Sequence, residues 1–371
     1  MIWLVGAFLV SAMASLWIIR YDHLHAHITA DNITQGPQKF HPHPVPRIGG
    51  VAIVLGLIAS GIAMLFLANE SYTHEYWLLL LCAIPAFLSG VLEDLTKKVG
   101  VMMRLIATVI SAALGAVLLH ALISRLGIPF IDSLLATSVY VSMLVTVIAV
   151  GGSAHAINII DGYNGLASIV TILILGSLAY VSSCVGDTFI LHTSLILIGA
   201  IMGVLIWNYP NGLILLGDGG AYLLGFMIGE LLVLLISRHS EVSPWFPMLL
   251  VTYPVWETIF SIYRRRFLRG TPPGLPDAMH LHTLIYRRLV RWLVGSQEAK
   301  HKLRRNAMTS PYLWGITLTT VIPAMLFWQN TLALVFFVFA FIFFYTWMYR
   351  RIVRFKSPRC LVIQYSRETN D

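Results

Sequence analysis

The chain has 371 residues, of which 57% are apolar and only 11% charged, with a formal net charge of +8. A soluble domain is roughly a quarter charged and needs that charge on its surface. The composition therefore argues against a water-soluble enzyme or a nucleic-acid-binding protein and for a polytopic membrane protein.

Apolar runs of about 18 residues or more mark membrane-spanning helices. Eleven are read in chain order, at 2–20, 48–68, 76–93, 101–123, 132–150, 165–183, 190–207, 219–237, 245–263, 312–329 and 331–350. No basic stretch precedes the first run and Arg20 follows it. Despite the small residues around Ala12 and Ala14, it is read as a retained helix with its N-terminus outside, not as a cleaved signal peptide. Eleven crossings then put the C-terminus inside. On that topology all of the 25 Lys and Arg residues except Arg125 and Arg238 fall on the inner side, the asymmetry expected of cytoplasmic segments. The basic charge is mainly a topology signal, and the cluster at 264–305 is also suited to anionic head groups or a diphosphate. Cys184 and Cys360 lie on opposite sides, so the three cysteines form no disulfide framework. The expected fold is all-α, a single transmembrane domain over 1–371 with functional inner segments at 21–47, 94–100, 151–164, 208–218 and 264–311.

The unusual polar clusters all fall on that inner side. In order they are Pro44-Val45-Pro46-Arg47-Ile48-Gly49-Gly50, Glu93-Asp94-Leu95-Thr96-Lys97-Lys98, Asn158 to Ala167, Asn208 with Gly217-Asp218-Gly219-Gly220, and Asp277-Ala278-Met279-His280-Leu281-His282. Even-numbered helices begin there, so their unpaired N–H groups and positive dipole ends face the same surface. Three of them are preceded by glycine loops: Gly49-Gly50, Gly162 to Gly165, and Gly217 to Gly220. With Gly219 these read as a phosphate cradle, against the alternative that the glycines serve close helix packing. Glu93 and Asp94, with Lys97 and Lys98 beyond them, read alone as an interfacial ion-pair group. Together with Asp161 and Asp218 they form a set of hard oxygen donors suited to magnesium beside a diphosphate. Glu230 and Glu257, inside spans, are read as internally hydrogen-bonded acids away from the motif loops. His23, His25, His27, His41 and His43 are read as a solvated loop, whereas His280 and His282, beside Asp277, suit phosphate contact or proton relay.

From Pro44 to His282 these motifs, in this order and topology, resemble the polyprenyl-phosphate N-acetylhexosamine-1-phosphate transferases. That superfamily (glycosyltransferase family 4) includes the enzymes that initiate O-antigen and teichoic-acid synthesis and the muramyl-pentapeptide translocase. The Pro-x-Pro-Arg-x-Gly-Gly loop and the His-Leu-His loop look like the O-antigen-initiating branch. The resemblance implies transfer of a UDP-activated N-acetylhexosamine 1-phosphate to a polyprenyl (undecaprenyl) phosphate, with release of UMP. It also implies a bacterial inner-membrane location, magnesium as cofactor with manganese as a substitute, and a homodimer as a frequent state. Carried over by motif, Asp218 is the metal ligand, assisted by Asn158, and Asp94 with Glu93 deprotonates or positions the lipid phosphate. Lys97, Asp161, Asn164, Asn208 and Arg47 lie on the nucleotide and substrate side, and His280 and His282 contact the diphosphate and sugar. The sequence departs from the family pattern at Glu93, where Asp is usual, at Asn164, where Asp is common, and at Thr283, where a further His is frequent. The rival from another class is a transporter or lipid flippase with gating loops. Transporters place their polar sites near the bilayer midplane, whereas these residues gather at one interface.

Overall fold

The computed structural model describes residues 2–29, 44–67, 72–270, 277, 279–290 and 299–354. The described residues are overwhelmingly helical and include no β-strand. Helix α1 (Ile2–Arg20) is followed by the short α2 (Asp22–Thr29), then α3 (Gly49–Leu67), α4 (Thr73–Thr96) and α5 (Val101–Leu118). A second short helix, α6 (Pro129–Thr137), precedes α7 (Val139–Ile160), α8 (Leu166–Val185), α9 (Thr188–Asn208) and α10 (Gly217–Arg238). The chain continues through α11 (Trp245–Leu250), α12 (Thr252–Tyr263), α13 (Leu281–Leu284), α14 (Ala299–Leu326) and α15 (Thr331–Val353).

Nine of the eleven predicted spans are helices long and apolar enough to cross a membrane among the described residues, namely α1, α3, α4, α5, α7, α8, α9, α10 and α15. The protein is an all-helical, multi-pass membrane protein. The other two runs are helical but broken or short. The run 245–263 divides at Val251 into α11 and α12. Pro254 then sits in the first turn of α12, where a missing N–H costs no helical hydrogen bond. The run 312–329 is the second half of α14, which contains Pro311 and Pro323 and ends at Leu326.

The predicted span 132–150 is displaced. Pro129 opens α6, and the Asp132 carboxylate accepts the N–H groups of Leu126 (2.6 Å) and Gly127 (3.1 Å), which holds that segment as a separate turn. The spanning helix starts only after Ser138, whose extended backbone and N-cap hydroxyl begin α7. As a consequence α7 reaches Ile160, and residues 151–160, expected in an inner loop, are its last turns.

Helix α10 is apolar on all faces and buried along its whole spanning length, the pattern of a central helix. It packs against α7 and α4. Lipid tails are as apolar as leucine, so this packing depends on close backbone approach through small residues. A Cβ at Gly225 would lie 2.5 Å from Ala154 Cα, and one at Gly90 on α4 would lie 2.5 Å from the Asp218 carbonyl carbon. The second approach brings the C-terminal end of α4 against the first residues of α10. Large apolar side chains such as Leu55, Leu81, Ile110 and Leu144 point outward from the bundle, as a lipid-facing surface requires.

Candidate active site

The site is built where α4 ends and α10 begins. Asp94, in the last turn of α4, is 1% exposed. Its Oδ1 accepts the Asp218 N–H at 3.0 Å and its Oδ2 accepts the Gly219 N–H at 2.9 Å. One carboxylate therefore satisfies two of the orphan donors at the N-terminus of α10 and meets the positive end of its dipole. Gly217 makes this turn possible. Its φ is +78°, and a Cβ there would lie 1.9 Å from the Arg47 carbonyl oxygen.

Asp218 is then presented to three further elements. Its Oδ1 accepts Arg47 Nη2 and Asn158 Nδ2, each at 3.1 Å, and its Oδ2 accepts Arg104 Nη1 at 2.7 Å. Arg47 also stands 3.5 Å from Asp94 through Nε. Arg47 is held at the start of α3 by a backbone ladder: Leu215 N–H donates to Pro46 O, and the Gly49 and Gly50 N–H groups donate to the carbonyls of Leu215 and Leu216. Asp161, just past the end of α7, lies within electrostatic reach of Arg47, Asp218 and Asp94. Three carboxylates and two guanidinium groups from five segments thus share one floor.

A second group of residues borders the Asp161 turn. His282 is fully buried, with neither ring nitrogen hydrogen-bonded. A Cβ at Gly162 would lie 3.2 Å from its Nε2, and Tyr163 meets it edge-on at 5.4 Å. Burial, reinforced by His280, pushes the His282 imidazole down to about 3 against the opposing pull of Glu257 and Asp277, so the ring is neutral at physiological pH. His280 stacks on it with ring centroids 5.1 Å apart. Asp277 is ion-paired with Arg264 and accepts Ser261 Oγ at 3.0 Å. Burial works to raise the Asp277 carboxyl, but His280 and Arg264 outweigh it and hold the group below the usual carboxylate range.

Comparison with known proteins bears on this floor directly. The model of glycosyl transferase family 4 matches residues 76–236, the stretch that contains Asp94, Arg104, Asn158, Asp161 and Asp218. This stretch belongs to glycosyl transferase family 4. The chain is similar to a probable undecaprenyl-phosphate N-acetylglucosaminyl 1-phosphate transferase of Bacillus subtilis (strain 168), with 29% identity over 250 residues and 66% of each chain covered. It is also similar to the undecaprenyl-phosphate alpha-N-acetylglucosaminyl 1-phosphate transferases of Thermotoga maritima (26% identity, 69% of this chain and 72% of the relative) and Escherichia coli (strain K12) (26% identity, 67% of each). The chain spans 66% of the length of the Bacillus relative.

On this floor the structure brings together Arg47, Asp94, Asn158, Asp161 and Asp218, and it sets other predicted residues in different places. Gly49 and Gly50, read in the sequence as part of a phosphate cradle, lie against α10. Their N–H groups are engaged by Leu215 and Leu216, and a Cβ at Gly50 would lie 2.4 Å from Gly220 N, so they serve the packing of α3 on α10. The Gly219 N–H is likewise taken by Asp94, and the Gly162 N–H by Ile160 O at 2.8 Å. Asn208, which the resemblance puts on the nucleotide side, accepts Gly165 N–H and donates to Ile214 O, each at 2.6 Å, tying two loops together. Asn164 acts similarly, donating to Pro210 O at 3.0 Å, with its backbone N–H bonded to Asn306. Glu93 turns away from Asp94 and accepts Val99 N–H at 2.7 Å. Lys97, in left-handed backbone conformation, closes α4 by donating from Nζ to the Asp94 carbonyl at 2.7 Å. Part of the basic segment is spent internally: Arg288 donates to Ile352 O and Arg305 covers the Tyr286 ring at 4.3 Å. Of the first histidine loop, His23 is exposed, while His41 and His43 and the side chains of His25 and His27 lie outside the described residues.

Arg104, legible in the sequence only as a topology signal, is the further charged residue that the structure brings to this floor. An arginine four residues into an apolar span is itself a signal, because such a charge needs a partner in the protein interior. No group of three or more His, Cys, Asp or Glu side chains among the described residues is placed to hold a metal by itself. The donor set of Asp218 with Asn158 still fits magnesium, which is commonly held by one or two carboxylates with substrate phosphates and water. The Asn158 amide offers its oxygen to the same place when its two ends are exchanged.

Asp161 supplies a pH test of this electrostatic arrangement. Burial pushes its carboxyl up to about 7; Arg47 opposes the shift, and Asp218 and Asp94 add to it. A carboxyl raised in the folded state binds its proton more tightly there than in the unfolded chain, so the protein loses stability as pH rises from about 4 to 7. Asp161→Asn removes that loss. Thermal unfolding in detergent is expected to show the variant melting about 2–5 °C above the unsubstituted protein at pH 8, with the difference vanishing near pH 4. A constant difference at both pH values would contradict the assignment.

Proposed function

We propose that the chain transfers an N-acetylhexosamine 1-phosphate from a UDP-sugar to a polyprenyl phosphate, releasing UMP and forming a polyprenyl-diphosphate-linked sugar, the first step of an O-antigen or other surface glycan. The observation that carries this reading is Asp218, fixed by Asp94 behind it and flanked by Arg47, Arg104 and Asn158 at one end of a helical membrane bundle. N-acetylglucosamine is the first donor to test, because the relatives are named for that sugar. The proposed topology has eleven crossings in a bacterial inner membrane, with α11–α12 and α14 as the irregular ones, the N-terminus periplasmic and the motif end cytoplasmic.

Phosphoryl transfer depends mostly on positioning and electrostatic stabilisation. Magnesium held by Asp218 and Asn158 would supply positive charge against the donor diphosphate. Arg47 and Arg104 orient the Asp218 carboxylate and limit the repulsion that three neighbouring acids present to an anionic substrate. His282, neutral and without a hydrogen-bond partner, has an N–H to offer a sugar or phosphate oxygen beside Gly162. Asp94 has both carboxylate oxygens engaged by the backbone of α10, which favours direct attack over a covalent Asp94 phosphate. A lipid phosphate oxygen then bonds to the β-phosphorus as the bond from that phosphorus to the bridging oxygen breaks, and UMP leaves with that oxygen.

The test is UMP release by the purified protein in detergent, with undecaprenyl phosphate and a panel of UDP-N-acetylhexosamines, with and without magnesium. Magnesium-dependent release with at least one donor is expected. No release with any donor would overturn the reading.

A further inference from the structure

Glu257 was expected to form an internal pair remote from the motif loops. It is paired, but its partners reach into the histidine loop. Glu257 lies on α12 and is 1% exposed. Its Oε1 is 2.9 Å from His280 Nδ1 and accepts the Leu281 N–H at 3.1 Å, and its Oε2 accepts the Tyr345 hydroxyl of α15 at 2.6 Å. The Leu281 N–H and the Tyr345 hydroxyl both donate to it, so the buried carboxylate keeps its charge, and a carboxylate can only accept. His280 must then carry its proton on Nδ1. Its Nε2 is directed to the other side, 3.7 Å from Asp277 Oδ2.

We propose that Glu257, held in turn by Tyr345, is the positioning residue for His280. It fixes the ring's tautomer, its orientation and the start of α13, so that Nε2, on the side of Asp277, keeps a defined protonation pattern. A carboxylate behind a histidine acts in this way when it holds one ring nitrogen and leaves the other for chemistry. A purely mechanical anchor needs no charge, because a neutral amide could accept the same two N–H groups. The groups that face His280 are Glu257, Asp277 and His282, with Arg264 acting through Asp277 and Tyr345 through Glu257. The proposal rests on the transferase reading for the role of His280, but the arrangement of the ring does not depend on it.

Two measurements test it. The first is the kcat–pH profile of Glu257→Gln and Tyr345→Phe with donor and lipid phosphate. Glu257→Gln is expected to lower kcat about 10–100-fold, to leave both KM values within about threefold, and to change the shape of the pH profile. Glu257→Asp recovers part of the rate. The second needs no turnover: solid-state NMR of 15N-histidine-labelled protein in bilayers, with the His280 signal assigned by its loss in His280→Asn. The unsubstituted protein is expected to show His280 protonated at Nδ1, and both Glu257→Gln and Tyr345→Phe to shift that signal. If Glu257→Gln does not fold, Tyr345→Phe carries the test, since it removes one hydroxyl. An unchanged His280 resonance, or a pH profile that superimposes on the original, overturns the proposal. If no donor is turned over by the unsubstituted protein, the transferase reading fails, and the NMR result alone decides the positioning.

Discussion

Asp218→Asn is expected to lower magnesium-dependent UMP release by about 10²–10³-fold while leaving the protein folded. The substitution keeps the shape of the side chain and one acceptor oxygen, and removes the negative charge that Arg47, Arg104 and Asn158 converge on. Two guanidinium groups are then left facing a neutral amide, and the best donor for a hard cation is gone. The structural cost is smaller than for a deeply buried ion pair. The Asp218 side chain is 14% exposed, and those of Arg47 and Arg104 are 27% and 17% exposed, so water screens part of the loss. A stability decrease of about 1–2 kcal/mol follows. Rates of UMP release and thermal unfolding, measured on the same preparation, separate the two effects. A rate within threefold of the original would remove Asp218 from the centre of the site.

Gly217→Ala carries the second large effect, this time on the fold of the site itself. Gly217 has φ +78°, and a left-handed conformation costs a residue with a Cβ about 1–2 kcal/mol. The added carbon would also lie 1.9 Å from the Arg47 carbonyl oxygen and 2.6 Å from Asp94 Oδ2. Neither group moves freely. Arg47 sits in the ladder with 215–216, and the Asp94 carboxylate is bonded to the first N–H groups of α10. Overpacking of this kind adds about 1–3 kcal/mol, so a total loss of about 2–5 kcal/mol is expected, with a melting temperature lower by on the order of 5 °C or more. Turnover should fall with it, because Arg47 and Asp94 are both displaced. Gly100→Ala is the control, since a Cβ there meets nothing within 4 Å and its backbone is in an ordinary conformation. Equal melting temperatures for the two variants would contradict the close approach of α10 to Arg47.

The membrane class and most of the spans were legible in the sequence because a bilayer imposes a one-dimensional rule: about 20 apolar residues make a crossing. That rule fails where polarity and backbone chemistry interrupt an apolar run. Pro129 and Asp132 made a separate turn of what looked like the start of a span, and the shift placed Asn158 on a helix instead of a loop. Val251 divides another run in the same way. The acids of the site were legible as well, since Asp94, Asp161 and Asp218 stand out in an apolar chain. The glycines were ambiguous. A glycine beside a helix N-terminus reads the same whether it admits a phosphate or a neighbouring helix, and at Gly49, Gly50 and Gly219 the neighbour is protein.

By itself, then, the sequence determined that this is a helical membrane protein with its polar chemistry gathered at one end, because scarcity of charge makes each charged residue conspicuous. The order of its motifs also carried the resemblance to glycosyl transferase family 4, whose model matches residues 76–236. Only the tertiary structure decided how those residues divide their work. Asp94 caps α10, Asp218 meets Arg104 across 114 positions of chain, and Glu257 reaches His280 from a helix that had no evident link to the loop. Such pairings depend on which helices touch and at what height, and small residues such as Gly90 and Gly217 set that by letting backbones approach. Hydropathy, summed along one chain, carries no record of those contacts.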